Sequence, residues 1–242
     1  MKRLNRLIAA ASAGVLALMM GTSAGRAGGQ AGDAAKTNRW EKAIEAFEAM
    51  DRTNPPPLHA VLFTGASNIR LWKNLPQAFP AHRVINRGFG GAEMSDLTDF
   101  ADRVVIPYRP KIVIIYAGDN DLADHKTPER VLEDFQAFSG KVHAALPETV
   151  IGCLAVKPSP SRARLVAQVK ATDALLEACC RTNAHLVYID DLTPMLSAGE
   201  KPRPELFGKD GLHLNERGRA VWISLIRPVL DRYDPPQSRT TP

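Results

Sequence analysis

Apolar positions along the chain form two kinds of pattern, helical stripes and short continuous runs. Trp40, Ile44, Phe47 and Met50 recur at the spacing of one helix face, with charged residues between them, and the prolines at 55–57 end that amphipathic helix. The continuous runs are rich in Val and Ile, which is typical of strands that are covered on both faces in a parallel sheet. They occupy residues 60–64, 84–86, 111–117, 149–156 and 186–189.

Helical stretches separate the later strands. They cover residues 128–145, 161–182 and 215–233. Strands that alternate with helices of this length predict an α/β fold, a doubly wound parallel sheet of about five strands with right-handed crossovers. The Gly- and Ala-rich stretch 28–38 is predicted to be a flexible lead-in, and the polar, proline-containing end at 234–242 a disordered tail. These limits leave one domain over 39–233.

The first 27 residues are typical of a secretory signal. Three basic residues lie within the first six, the run 7–20 is apolar or small, and no acidic residue is present. Ala24 and Ala27 each end a small-x-small cleavage site. An uncleaved anchor is the alternative, although the run is shorter than the roughly 20 apolar residues of a membrane span. We therefore predict a signal peptide over 1–27, a periplasmic or secreted protein, and no stable membrane insertion after cleavage.

The overall charge is concentrated in this same segment. The 242 residues carry a net charge of +5, but four basic residues lie within 1–27, so the remaining chain carries only +1. Without these four charges no net basic balance remains to favour nucleic-acid binding, and we predict no nucleic-acid partner. With 45% hydrophobic and 24% charged residues, the composition is that of an ordinary globular domain.

Cysteine usage gives no disulfide framework. The chain has three cysteines, Cys153, Cys179 and Cys180, and an odd number cannot pair completely. Buried thiols are the first interpretation. A bridge from Cys153 to one of the other two is the alternative.

Polar and glycine-rich loops follow the strands. In an open α/β sheet, ligands bind outside the carboxyl ends of the strands, so the residues directly after each run are candidates for a site. Ser67 follows the first strand, Gly91 the second and Asn120 the third, while Asp210 and His213 precede the last helix. We expect these four loops to converge at one edge of the sheet.

Ser67, His213 and Asp210 have the chemistry of a nucleophile, its base and an orienting acid. A serine hydroxyl attacks an acyl carbon only when a base removes its proton. A carboxylate three residues before a histidine can reach the imidazole, fix its tautomer and stabilise its charged form. Capping of a helix N-terminus is the alternative role for Ser67, and the spacing of Asp210 and His213 also occurs by chance.

Acyl transfer also requires hydrogen-bond donors aimed at the developing oxyanion. Ser67 and Gly91 can supply backbone N–H groups, and Asn120 can supply its side-chain amide. Turn formation and loop capping are the alternative roles for the glycine and the asparagine. The occurrence of all these features at successive strand ends favours an acyl hydrolase over unrelated loops.

Four short motifs stand in a fixed order along the chain. They are Gly65-x-Ser67, Asn86-x-x-x-x-Gly91, Gly118-x-Asn120-Asp121 and Asp210-x-x-His213. Together they resemble the four blocks of the SGNH hydrolases, also called the GDSL esterase/lipase family. The resemblance extends over about 62–222, nearly the whole predicted domain, and is greatest to exported bacterial members.

This resemblance implies a fold, an activity and a set of roles. The fold is a flavodoxin-like three-layer α/β/α sandwich, and the activity is hydrolysis of acyl esters without a metal or cofactor. The implied roles are nucleophile for Ser67, acid for Asp210, base for His213, and oxyanion donors for Ser67, Gly91 and Asn120.

The first block departs from the family pattern. Where Gly-Asp-Ser-Leu is usual, this chain has Gly65-Ala66-Ser67-Asn68. The missing aspartate is not the acid assigned to Asp210, so we expect the chemistry to be kept. The loop loses a side-chain acceptor, and Asn68 is the candidate to replace part of its hydrogen bonding.

Two further features near the predicted edge have open interpretations. The stretch Lys157-Pro158-Ser159-Pro160 follows the fourth strand, and a rigid turn is predicted there, with a wall of the acyl or leaving-group pocket as the alternative. Trp72, after the nucleophile, is predicted to be a core residue. Arg70 is either a surface residue or a support for the site.

The sequence predicts a serine hydrolase that cleaves carboxylic esters of small molecules or glycans through an acyl-enzyme. An O-deacetylase or O-acetyltransferase of cell-envelope glycans is the second hypothesis, since the same acyl-enzyme can pass its acyl group to water or to a sugar. A third is a non-catalytic glycan-binding module, which the intact Ser67, Asp210 and His213 disfavour. The six histidines lack the paired spacing of a zinc site, and neither a metal nor a cofactor is predicted.

Overall fold

The computed structural model describes the backbone of residues 28–235 and the side chains of residues 39–235. The predicted signal peptide, 1–27, lies outside the described residues, as do residues 236–242 of the predicted tail. No helix of the described part is both long and apolar enough to cross a bilayer.

A five-stranded parallel sheet forms the middle layer, in the order β2-β1-β3-β4-β5. This order confirms the predicted doubly wound sheet. From the centre, the chain adds β2 beside β1 on one side and then β3, β4 and β5 on the other, so the direction of winding changes between β1 and β3. The strands are β1 Val61–Gly65, β2 Val84–Gly88, β3 Ile112–Tyr116, β4 Val150–Leu154 and β5 Leu186–Ile189.

Helices cover both faces of the sheet. They are α1 Gly28–Thr53, α2 Ser67–Arg70, α3 Leu75–Ala78, α4 Met94–Val104, α5 Asp119–Ala123, α6 Pro128–Ala145, α7 Val166–Cys180, α8 Leu192–Met195 and α9 Glu216–Tyr233. Three 3-10 turns, Ile106–Tyr108, Pro160–Leu165 and Pro204–Leu206, complete the elements of this part of the chain.

The alternation of side chains along each strand divides the core into two layers. Leu62 and Val113 pack with α1, α4, α6 and α7 on one face, whereas Phe63 and Ile114 pack with α2, α3 and α9 on the other. Every residue of β1, β3 and β4 is therefore buried, which is why these strands are continuous apolar runs in the sequence. Trp72 lies in the second core, fully buried as predicted. The result is the expected three-layer sandwich.

The register of the central strands brings their carboxyl ends together. Gly65, the last residue of β1, is level with Gly88 of β2 on one side and Tyr116 of β3 on the other. The loops that carry Ser67, Gly91 and Asn120 consequently leave the sheet at the same edge.

Two predicted boundaries differ from the structure. The stretch 28–38 was expected to be flexible, but α1 begins at Gly28 and includes it, in keeping with the high helix propensity of alanine, which this stretch contains between its glycines. Asp234 was assigned to the disordered tail, yet its carboxylate lies 2.8 Å from Lys111 Nζ and 3.4 Å from His82 Nδ1. These two contacts hold the C-terminal end of α9 against the start of β3 and against the loop between α3 and β2.

The thiols are free. Cys153 and Cys180 are buried and Cys179 is half-buried. The first interpretation, unpaired thiols, fits these side chains, although Cys179 is less buried than expected.

Candidate active site

The turn after β1 is set by close contact with β3. Gly65 has a φ of +138°, and the carbonyl oxygen of Tyr116 would lie 2.0 Å from a Cβ placed on it. Only glycine fits such a backbone, since a side chain would collide with the neighbouring strand. The N–H of Ala66 then donates to the same carbonyl at 3.0 Å. This turn fixes Ser67 at the first position of α2, above the edge of the sheet.

Ser67, His213 and Asp210 lie in a hydrogen-bonded row. His213 Nε2 is 2.9 Å from Ser67 Oγ, and His213 Nδ1 is 2.6 Å from Asp210 Oδ2. The hydroxyl of Ser67 therefore faces a base, and α2 has no side-chain cap. The tertiary fold brings together residues that are 146 positions apart in sequence.

Asp210 is held in place by its own loop. Its Oδ1 accepts hydrogen bonds from the backbone N–H groups of Leu212, at 2.9 Å, and His213, at 3.0 Å. The hydrogen bond to the His213 side chain and these two backbone bonds lower the pKa of the Asp210 carboxyl well below its usual range. A permanently ionised carboxylate at Nδ1 keeps a proton on that nitrogen and leaves Nε2 free to accept one from Ser67.

Ser67, Gly91 and Asn120, the three predicted oxyanion donors, line one cleft. Within the described part of the chain, neither the N–H of Ser67 nor that of Gly91 donates a hydrogen bond. Asn120 Nδ2 donates one hydrogen to the carbonyl of Ala92 at 3.0 Å, so its second hydrogen remains available. Gly91 has a φ of +76°, and the Trp40 ring would lie 3.2 Å from a Cβ there. All five predicted residues thus meet at one site.

Arg162, which belongs to none of the four sequence motifs, orients the Asn120 amide. Arg162 Nη2 donates to Asn120 Oδ1 at 3.0 Å, while its Nη1 donates to the backbone carbonyl of Asp119 at 2.7 Å. Since the oxygen of the amide is occupied by a cation, its nitrogen must point toward Ala92 and the cleft. Arg162 comes from the turn after β4, so only the assembled sheet edge brings it to Asn120.

A buried ion pair lies behind this amide. Lys157 Nζ is 2.9 Å from Asp119 Oδ2, and Arg162 Nη1 is 3.1 Å from the same oxygen. Burial opposes ionisation of Asp119, but the two cations outweigh it and lower the pKa of its carboxyl below the usual range. Lys157, in the stretch predicted to be a rigid turn, is therefore the buried partner of Asp119, and it is not among the residues that line the cleft in front of Ser67.

Asp121 ties the loop after β3 to the loop after β2. Its carboxylate accepts from the N–H groups of Gly118 and Met94, each at 3.1 Å, and lies 2.9 Å from Lys126 Nζ. Burial raises the pKa of Asp121, against the opposing effect of Lys126. The contact with Met94, the first residue of α4, keeps the Asn120 loop beside the Gly91 loop.

Asn68 connects the nucleophile turn to the histidine loop. Its Oδ1 accepts a hydrogen bond of 2.9 Å from the N–H of Leu214, the residue after His213. Asn68 is buried, and this one bond supplies an acceptor in the nucleophile loop, where the usual aspartate is missing. The bond links the segment of the base directly to the segment of the nucleophile.

The site opens into a cleft of about 630 Å³. Ser67, His213, Gly91 and Asn120 line its floor, and helix α1 forms one wall. The rest of the lining is Arg39, Trp40, Lys42, Ala43, Arg70, Gly90 and Leu212. No group of three or more potential metal ligands occurs in the described part of the chain.

A three-layer sandwich with a hydrogen-bonded serine, histidine and aspartate at its sheet edge is the architecture of a carboxylic ester hydrolase. The chain belongs to the GDSL-like Lipase/Acylhydrolase family, whose model matches residues 62–221. This membership confirms the predicted family, the fold class and the kind of enzyme.

Solved structures of other proteins share the fold. A GDSL-like lipase from Bacteroides thetaiotaomicron has 20% identity and a TM-score of 0.69, over 78% of this chain and 97% of that one. A lipase/acylhydrolase from Enterococcus faecalis has 22% identity and a TM-score of 0.57, over 74% of this chain and 98% of that one. A carbohydrate esterase family 3 protein from Talaromyces cellulolyticus has 18% identity and a TM-score of 0.56, over 71% of this chain and 96% of that one. Among curated proteins, none gave a significant match.

Proposed function

We propose that the protein hydrolyses carboxylic esters through an acyl-enzyme on Ser67, with His213 as the base and Asp210 as the acid that orients it. The observation that carries the proposal is the row of hydrogen bonds from Ser67 Oγ to His213 Nε2, 2.9 Å, and from Nδ1 to Asp210, 2.6 Å. Each residue has the partner that its role in acyl transfer requires.

The reaction has two halves. In the first, Ser67 Oγ attacks the carbonyl carbon of the ester and its proton passes to His213 Nε2. The bond to the leaving oxygen then breaks, and the alcohol departs with the proton from Nε2. In the second half, water attacks the acyl-enzyme, His213 takes a proton from it, and the carboxylic acid leaves as Ser67 Oγ regains that proton. Asp210 stays ionised throughout and stabilises the imidazolium formed in each half.

The oxyanion of both tetrahedral intermediates is held by three donors, the N–H groups of Ser67 and Gly91 and the Nδ2 of Asn120. Removing one such donor in other serine hydrolases lowers kcat by about 10²- to 10³-fold. The free hydrogens described above support this assignment, since N–H groups with no internal acceptor are ready to bind a developing negative charge.

The test is hydrolysis of 4-nitrophenyl esters of increasing chain length, together with labelling by a serine-reactive fluorophosphonate. Ser67→Ala is expected to lose at least about 10³-fold in kcat and all labelling, because the acyl-enzyme of this proposal forms on Oγ of that residue. Ser224→Ala, the same change on the exposed side of α9, serves as the matched control and is expected to keep both. Full activity in Ser67→Ala, with unchanged circular dichroism, would contradict the proposal.

A second candidate is removal or transfer of acetyl groups on cell-envelope glycans. The similarity to a carbohydrate esterase and the open cleft favour it. Incubation with an acetylated oligosaccharide distinguishes the outcomes, since a deacetylase releases free acetate and an O-acetyltransferase acetylates an added sugar. A protein that binds the oligosaccharide without either product, and without fluorophosphonate labelling, would instead be the glycan-binding module considered from sequence.

The proposed location is the periplasm or the exterior of the cell. The support is the sequence of residues 1–27, with its basic start, apolar run and small-residue sites at Ala24 and Ala27. Mass spectrometry of the protein recovered from periplasm and medium is expected to give a chain that begins at Gly25 or Gly28. A full-length chain confined to the membrane fraction would favour the uncleaved anchor.

A further inference from the structure

Three basic side chains line the cleft around Ser67, and no acidic side chain of the described residues does. Arg39 and Lys42 come from α1, and Arg70 comes from α2. Asp210 is not among the lining residues, because it lies behind His213. The cleft is thus positive on the wall that faces the nucleophile, although the chain beyond residue 27 carries a net charge of only +1.

Of these three cations, Arg70 is the nearest to Ser67 along the backbone. It follows Ser67 by three residues, which places the two side chains on the same side of the short helix α2. Its guanidinium lies over Gly90, since a Cβ on that glycine would be 2.5 Å from Arg70 Nε. The glycine therefore leaves room for the guanidinium next to Gly91, one of the proposed oxyanion donors.

These charges are largely uncompensated. The side chains of Arg70 and Lys42 form no hydrogen bond or ion pair with any side chain that the structure describes. Arg39 is partly neutralised, because its Nη2 is 3.7 Å from Asp96 and 3.4 Å from the carbonyl of Gly91, and it stacks on Trp40. Cations held in a cleft without counter-charges raise the local concentration of anions and bind them by charge-assisted hydrogen bonds.

We propose that Arg39, Lys42 and Arg70, here called the cationic wall, form a subsite for a negatively charged group of the substrate. The enzyme then prefers esters that carry a carboxylate, phosphate or sulfate close to the scissile bond. Arg70 is the main contact, since a guanidinium can bind such an oxyanion through two parallel hydrogen bonds. This inference rests on the proposed ester hydrolysis and names the class of its substrates.

Two matched pairs of esters test the preference. In the first pair the charge is on the acyl part, with 4-nitrophenyl hydrogen adipate, whose chain is too long for its carboxylate to attack its own ester efficiently, against its methyl ester. In the second pair the charge is on the alcohol part, with 4-acetoxybenzoate against its methyl ester. Each kcat/KM is divided by the rate constant for hydroxide-catalysed hydrolysis of the same ester, which removes differences in intrinsic reactivity. The preference is the anionic-to-neutral ratio of these values.

In one of the two pairs we expect a preference of about tenfold or more at low ionic strength, decreasing toward one in 0.5 M salt because exposed charges are screened. The pair that responds identifies the end of the substrate that faces the cationic wall. Arg70→Gln and Lys42→Gln are each expected to lower the preference by roughly two- to fivefold. Arg70→Glu is expected to reverse it.

Arg52→Gln is the matched control, because it removes one positive charge from α1, the helix that carries Lys42. Arg52 lies about 15 Å from Lys42 along the helix axis and outside the cleft. It is expected to retain the full preference. Both esters of a pair are measured on the same variant, so a partly folded preparation does not alter the ratio.

The outcomes separate this proposal from the proposed function. Hydrolysis of the neutral esters with a preference near or below one in both pairs would overturn the cationic wall and leave the esterase intact. A preference that Arg70→Gln and Lys42→Gln leave unchanged would overturn it as well. Failure to hydrolyse any of the four esters, together with no fluorophosphonate labelling, would overturn the proposed function, and the subsite with it.

Discussion

Arg162 donates a hydrogen bond of 3.0 Å to Oδ1 of Asn120, and this contact decides which way the amide faces. An amide side chain can rotate to exchange its oxygen and nitrogen, and only one orientation directs an N–H into the cleft. The second nitrogen of the guanidinium binds the carbonyl of Asp119 at 2.7 Å, so the cation is held at two points of the same helix turn. Arg162 is in our proposal a positioning residue for the oxyanion donor.

Replacing Arg162 should lower the turnover of ester without weakening its binding. In Arg162→Gln we expect kcat to fall by roughly ten- to a hundredfold, less than the loss of a donor itself, with little change in KM, because Asn120 is disordered rather than removed. Arg162→Lys should recover only part of the loss, since an ammonium cannot span the two oxygens. Steady-state kinetics on a neutral 4-nitrophenyl ester measures both constants.

Two controls distinguish positioning from a general structural effect. Arg164→Lys and Arg164→Gln make the same changes on an exposed residue of the same turn and should leave both constants near the parent values. Added guanidinium ion should restore part of the kcat of Arg162→Ala. An Arg162→Gln enzyme with the parental kcat would show that Asn120 needs no such partner.

Asp210→Asn tests the orienting carboxylate. An amide at this place cannot fix the tautomer that leaves Nε2 free or stabilise the imidazolium, and in a related arrangement the change costs about 10⁴-fold in kcat. We expect a loss of roughly 10³- to 10⁴-fold with the fold retained, since Asp210 is on the surface. Asp102→Asn, at an exposed ion pair with Lys141, is the control and should have parental kinetics.

The pH profile carries a related expectation. Because the pKa of Asp210 lies below its usual value of about 3.9, its carboxylate is ionised throughout the range above about pH 5. Loss of activity on acidification above that pH must then come from another group. The assignment would be contradicted if the Asp210→Asn variant no longer lost activity on acidification while its activity at higher pH equalled that of the parent.

Asn68→Ala should weaken the link between the two catalytic segments. The change leaves the buried N–H of Leu214 without an acceptor, which costs about 1–3 kcal/mol. We expect a lower melting temperature by several degrees and a reduced kcat, measured by calorimetry and ester hydrolysis. Asn183→Ala, at an exposed asparagine that also accepts from a backbone N–H, should have a much smaller effect. Equal effects of the two changes would argue against a special role for Asn68.

Asp191→Asn should make the protein more stable at neutral pH. Asp191 is fully buried, one oxygen accepts from Trp222 Nε1 and the other has no hydrogen-bond partner. Burial raises its pKa well above the usual value. The stability that comes with its protonated form is complete below the unfolded pKa of about 3.9 and is lost as the pH rises through the folded pKa.

An asparagine keeps the acceptor for Trp222 and does not ionise. The difference in melting temperature between Asp191→Asn and the parent should therefore be small near pH 4 and grow to a few degrees by pH 8. Asp190→Asn, at the exposed neighbour, should lack this trend. A difference that is constant with pH would mean that Asp191 does not titrate between these values.

Much of the fold could be predicted from local pattern. Each of the five apolar runs contains most or all of a strand. The runs of β1, β3 and β4 are continuous because these strands are buried on both faces. The helix Met94–Val104 was not predicted, although Glu93 and Asp96 form a capping box at its start and Met94, Leu97 and Val104 lie on its buried face. The preceding glycines, at positions 88, 90 and 91, are typical of a loop, and the helical spacing begins only after them.

The sequence by itself determined the sheet, the resemblance to the family and the five residues that meet at the site, because a parallel sheet places the carboxyl ends of all its strands at one edge. Only the tertiary structure decided that Arg162 and Lys157 support Asn120 through Asp119, and that α1 brings Arg39 and Lys42 over the cleft. The reason is physical. Strand and helix formation depend on residues close in sequence, whereas an ion pair depends on a distance of a few ångströms between segments that only packing brings together.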